Sequence, residues 1–175
     1  MLFNKILPIL VFLLLGITTI QAEEPVKFTP RNKTPDEIYG YLDNAVKLIE
    51  EKGPAAYAEL TDPNGPWADG DWYLYINNYD GYNVAHANKS MIGKYFFSVR
   101  DKMGHAFFAE LQKAAMSPSG RGWVEFWWPK PGETEPARKI GFVVGIPKQR
   151  LWIGTGAYDM TDEEINRLSN PTSSD

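Results

Sequence analysis

From Thr34 onward the apolar positions fall at Ile38, Tyr41, Leu42, Ala45, Leu48 and Ile49, the spacing of one face of a helix. Thr34-Pro35-Asp36-Glu37 opens that helix with a cap residue, a proline at the first helical position and a glutamate placed to complete a capping box, and Gly53-Pro54 stops it. A second, short helix is predicted over 54–60. The period then changes. Trp72-Tyr73-Leu74-Tyr75-Ile76 and Tyr82-Asn83-Val84-Ala85-His86 flank a segment whose Asp80-Gly81 marks a tight turn, which predicts a hairpin. Phe107, Phe108, Leu111 and Ala115 share one side of a helix predicted over 100–116, with Gly104 weakening its start. Gly122-Trp123-Val124-Glu125-Phe126-Trp127-Trp128 and Arg138-Lys139-Ile140-Gly141-Phe142-Val143-Val144 follow, joined by a Pro/Gly/Glu loop that cannot continue a ladder, and predict a second hairpin. Leu151 to Tyr158 supplies a last strand, and Thr161-Asp162-Glu163-Glu164 caps a short final helix.

This order predicts an α+β domain over residues 34–168, an antiparallel sheet of five to six strands with the long N-terminal helix on one face and the other face left for a pocket. Residues 23–33 carry charges and prolines without a period and are expected to be a linker. Residues 169–175 are expected to be a disordered polar tail. Met1 to Ala22 has one lysine, Lys5, an apolar run from Ile6 to Leu15, and small and polar residues up to Ala22, the pattern of a cleaved secretory signal peptide. Ile6 to Ile20 is shorter than the roughly 20 apolar residues of a membrane span and is interrupted by Pro8 and Gly16. The expected location is therefore the periplasm or the medium, without stable membrane insertion once the signal is removed.

The chain has 18 basic and 22 acidic residues, a net charge of −4, and removal of Lys5 with the signal makes it more acidic. Both signs are mixed along the sequence, so no basic stripe points to nucleic acid. The absence of cysteine excludes disulfides, a lipid-bearing cysteine, c-type haem attachment and thiol catalysis. His86 and His105 are the only histidines and have no close carboxylate spacing, so no metal site and no cofactor is expected. Gly154-Thr155-Gly156 sits inside a strand pattern rather than before a helix, and no nucleophile elbow is present. The reading is of a binding protein, not an enzyme.

Several segments, taken in order, carry a resemblance. They are Tyr79-Asp80-Gly81 with Ala85-His86; Arg100-Asp101-Lys102-Met103-Gly104; Gly122 to Pro131; Lys139-Ile140-Gly141-Phe142-Val143; and Ile153-Gly154-Thr155-Gly156-Ala157-Tyr158. Together they resemble a single Cache domain, the extracytoplasmic sensor module of bacterial chemoreceptors and histidine kinases. The resemblance implies a PAS-like antiparallel sheet and a pocket for a small organic molecule, often a carboxylate. Family members typically sit between membrane helices and signal to a cytoplasmic domain. This sequence ends shortly after its last strand, so the expectation is a domain that binds a small organic acid and acts through a separate membrane-bound partner. The alternative is a structural or adaptor envelope protein with a filled pocket.

The candidate pocket residues are Tyr75, His86, Arg100, Trp127 and Lys139. Lys139 is a lone charge among residues that favour burial, and a buried ammonium must find a partner or lose its charge. An anionic ligand is one such partner; an edge position with the ammonium reaching water is the other reading. His86 either donates to a carboxylate, more strongly when protonated, or bonds a nearby carbonyl. Arg100 either clamps a carboxylate or pairs with a neighbour, whereas Asp101 is assigned a structural role. Tyr75 lies on the first hairpin. By parity Val124, Phe126 and Trp128 share one strand face and, as the more apolar set, are expected against the long helix. Trp127 then shares a space with Lys139. A one-residue slip would bring Phe126 and Trp128 into the pocket instead.

Overall fold

The computed structural model describes residues 34–169; the expected signal peptide, the linker and the tail from residue 170 lie outside them. Helix α1 (Pro35–Lys52) begins at Thr34, whose hydroxyl accepts from the Glu37 amide while the Glu37 carboxylate accepts from the Thr34 amide. This capping box satisfies two of the orphan donors at the helix start. A 3₁₀ turn (Gly53–Ala55) leads into α2 (Ala56–Leu60). Strands β1 (Tyr75–Asn78) and β2 (Asn83–His86) form the first hairpin; α3 (Phe107–Ala115) is followed by β3 (Arg121–Pro129), β4 (Pro136–Ile146), β5 (Leu151–Tyr158) and α4 (Asp162–Ser169).

The strands make one five-stranded antiparallel sheet in the order β2-β1-β5-β4-β3. This is the expected α+β, PAS-like arrangement. The last strand comes back to the middle and joins the two hairpins. Ile38, Leu42 and Ile49 of α1 are buried against Leu74, Ile76, Ile140, Phe142, Val144 and Ile153 on one sheet face. Each such side chain contributes about 1.5–3 kcal/mol when removed from water. The opposite face carries a second cluster in which α3 and the rings of Tyr73, Tyr75, Phe96, Phe126, Trp152 and Tyr158 meet.

Two expectations are corrected. Helix α3 starts at Phe107 rather than near Arg100. The Asp101 carboxylate accepts from the Met103 and His105 amides at 2.8 and 2.9 Å, and Gly104 takes φ +84°, so this segment is a tight turn that cannot be helical. The second correction concerns β3. Phe126 lies directly opposite Lys139 in the ladder, so their side chains share a face, and Phe126 stacks on Phe107 at 4.5 Å. Trp123, opposite Phe142, packs with the α1 cluster instead. The strand is turned over relative to the parity expectation because both sheet faces are covered, so the more apolar set does not identify the helix side.

Candidate functional site

On the face away from α1, the aromatic cluster lines a small chamber of about 40 Å³, room for a few waters. Its lining includes Tyr73, Tyr75, His86, Phe126, Trp128 and Lys139. The sheet itself makes the floor. A Cβ at Gly154 would lie 2.6 Å from the Tyr75 ring, and one at Gly156 would lie 2.5 Å from Lys139 Cε. Only glycine lets these two side chains lie flat across β5. The Gly154-Thr155-Gly156 motif is therefore a steric device and not a phosphate loop.

Lys139 is 1% exposed. Its Nζ donates to the Tyr73 hydroxyl at 2.8 Å and the Tyr158 hydroxyl at 3.2 Å, and it lies 4.1, 4.5 and 5.7 Å from the ring centres of Tyr73, Tyr158 and Tyr75. Phenol oxygens and ring faces compensate an ammonium only in part. Among the described residues no carboxylate comes within ion-pair distance of it. Burial accordingly pulls the lysine below its ordinary value, with the Tyr73 hydroxyl and more distant Asp71 opposing.

His86 is on the same face, its ring 5.1 Å from that of Tyr73. Its Nδ1 accepts from the Asn88 amide at 2.9 Å, which leaves the proton on Nε2 as a donor. Burial, and then the nearby Lys139 charge, push it down to about 3. The imidazole is neutral at ordinary pH, so the expected strengthening by protonation does not operate. Tyr75 donates to the Thr155 carbonyl at 3.3 Å, and burial raises its phenol. Asn77 and Asn83, both 2% exposed, complete the polar lining.

The structure thus brings Tyr75, His86 and Lys139 to one chamber and leaves Arg100 and Trp127 outside it. Arg100 is exposed and donates to the Phe97 and Val99 carbonyls at 2.9 and 3.0 Å. Trp127 points to the other face, where Lys102 Nζ sits 3.2 Å from its ring centre. Asp101 has the structural role assigned to it: its second oxygen accepts from the Trp127 amide at 3.2 Å, tying the turn to the outer edge of β3. Tyr73 was not among the expected pocket residues, nor was Tyr158, which holds Lys139 without lining the chamber, and Phe126 and Trp128 were expected there only under a one-residue slip. The parity of Tyr73 with Tyr75, and of Tyr158 with Gly154 and Gly156, was the signal that could have found the two tyrosines.

A five-stranded antiparallel sheet with a long helix on one face and a small chamber in the aromatic cluster on the other defines the sensor-module class of fold. The Cache domain family matches residues 40–168, and the chain belongs to that family. It is 34% identical over 89 residues to the sensor histidine kinase MctS of Rhizobium johnstonii, covering 50% of this chain and 19% of that protein. It is 32% identical over 91 residues to the methyl-accepting chemotaxis protein McpP of Pseudomonas putida, covering 51% and 16%. The matched region is less than a fifth of either relative. Among solved structures, a methyl-accepting chemotaxis protein from Vibrio parahaemolyticus superposes with a TM-score of 0.60 at 26% identity, covering 74% of this chain and 89% of that one. A Cache chemosensory domain described for its carboxylic acid recognition shares the fold at a TM-score of 0.55 and 23% identity, covering 72% and 88%. Cache domains serve chemoreceptors and sensor kinases as ligand-sensing modules. Among the described residues no helix is long and apolar enough to cross a membrane.

Proposed function

We propose that the chamber binds a small organic acid reversibly, with the carboxylate taken by the Lys139 ammonium and the His86 Nε2–H. The observation that carries this reading is the ammonium of Lys139, 1% exposed and, among the described residues, bonded only to phenols. An arriving carboxylate supplies the missing counter-charge in a low-dielectric site, where a charge-assisted bond is strongest. The volume limits the acid to a few non-hydrogen atoms, and Phe126, Trp128 and Trp152 supply apolar walls for its remainder. The domain works outside the cytoplasm, after export, and passes occupancy to a separate membrane-bound signalling partner without catalysis or cofactor. The sensor relatives and the carboxylic-acid-binding neighbour support that assignment.

A thermal-shift and calorimetric screen against short carboxylates, amino acids and purines tests it. An acid at one hundred times its dissociation constant adds about 2.7 kcal/mol of stability. Lys139→Met should weaken the same acid about 10- to 100-fold, the loss of one charge-assisted hydrogen bond. If no carboxylate stabilises the protein, the reading gives way to that of an adaptor with a filled pocket.

A further inference from the structure

Beside the chamber lies a larger cavity of about 300 Å³, and the two share Tyr73, His86 and Trp128 as a common wall. The outer wall of this vestibule is the tip of the β3–β4 hairpin, Pro129 to Glu133. The ladder ends where Pro129 faces Pro136, two residues with no N–H to donate. Beyond that pair the tip is a turn closed on itself by the Glu133 amide and the Lys130 carbonyl, with Gly132 at φ +81°. Two ties hold it to the body. Lys130 pairs with Asp159, and with Asp71 at 3.7 Å. The Tyr158 hydroxyl donates to the Pro129 carbonyl at 2.8 Å.

These ties reach the chain beside the residues that hold the ammonium. Asp71 lies two positions before Tyr73, and Asp159 immediately follows Tyr158. The Tyr158 hydroxyl accepts from Lys139 at 3.2 Å while giving its proton to the tip. We infer that the β3–β4 tip is the gate of the chamber, hinged at Pro129 and Pro136 and latched by Lys130. Opening swings the tip from Asp71 and Asp159 and clears the outer wall of the vestibule, exposing the inner wall of Tyr73, His86 and Trp128. The acid then passes from the vestibule to Lys139. The inference rests on the reading above that the chamber is the acid's site, but the latch can be tested without any acid.

Trp152 lines the chamber, and its indole N–H donates to Gln112 at 3.3 Å, so its exchange with solvent reports water entering. In the free protein, NMR should show Trp152 indole exchange faster by about two- to fivefold in Lys130→Met, the range an exposed ion pair allows. Lys130→Arg should restore the original rate. Stopped-flow mixing with acetate should show association and dissociation rates rising together in Lys130→Met while the dissociation constant moves little. Unchanged indole exchange, or faster exchange without faster acetate binding, would overturn the gate. Failure of acetate to bind even the unmodified protein would count against acid binding, and the indole measurement would then decide the latch alone.

Discussion

Replacing Lys139 with Met tests whether the ammonium is held at a cost. The side chain is buried over Gly156 with two phenol partners and, among the described residues, no acid within ion-pair reach. A methionine of similar length fills that space without a charge to desolvate. Exchange of a buried charge for a well-packed apolar group is often stabilising by about 1–4 kcal/mol, and that range is expected for the free protein at pH 7. The pH dependence follows from linkage. The lysine binds its proton less tightly folded than unfolded, so the unfolded state carries more protons between the lowered folded value and the ordinary 10.5. Stability therefore rises with pH through that window, by at most about 1.4 kcal/mol per pH unit for one group. Buried Tyr75 and Tyr158, whose phenols are raised, act in the opposite sense as pH approaches the free phenol range, and both remain in the variant. The difference between the two proteins isolates the lysine. Urea denaturation at a series of pH values rising from 7 toward 10.5 should show the gap narrowing once the pH passes the lowered folded value. A variant destabilised by several kcal/mol, with a gap independent of pH, would show that the ammonium is fully compensated and refute the argument that it awaits an anion.

Three further outcomes are expected. Trp128→Ala, which removes a ring packed on Phe96 and Phe107 at 6.0 and 5.4 Å, should weaken carboxylate binding in calorimetry; Trp127→Ala should leave binding alone and lose only about 0.5–1 kcal/mol with its Lys102 contact. Asp101→Ala strands the amides of Met103, His105 and Trp127 and should cost about 3 kcal/mol or more by chemical denaturation. Burial works to raise the Asp101 carboxyl, but those amides together outweigh it and hold it below 3.8, so its stabilisation is present above that value and is lost as pH falls through the folded one. Gly156→Ala places a methyl 2.5 Å from Lys139 Cε and 2.7 Å from the Ile140 carbonyl, and should cost about 1–3 kcal/mol and reduce acid affinity, both visible in thermal shift.

What could be read from the sequence was local. Thr34 to Glu37 announces the capping box because all of its bonds fall within three residues. Lys139 stands out as a charge in an apolar strand, and its burial follows. Its partners are another matter, since Tyr73 lies 66 residues away and Tyr158 lies 19 away. Only the central placement of β5 brings them together. The face of β3 was illegible for the same reason: Trp123 and Phe126 are both apolar, and each has its own cluster to join. The early start expected for α3 failed because the Asp101 turn is closed by bonds that propensity does not encode. Arg100 resembled an anion clamp by type alone, yet two neighbouring carbonyls occupy it.

The glycines of β5 tie chemistry to alignment. Lys139 reaches its place by crossing Gly156, and the smallest shift of β4 along β5 that preserves the two faces is two residues. One such shift would set Tyr158 beneath the lysine, and the other would set Gly154 there, already covered by the Tyr75 ring. Neither leaves the ammonium facing a hollow. A misaligned sheet could still bury most of its apolar surface, but it would lack the chamber. A metabolite present during refolding would bind only the correctly aligned sheet and by mass action draw the population toward it. The small molecule the domain detects would then also serve as a proofreader of its own receptor.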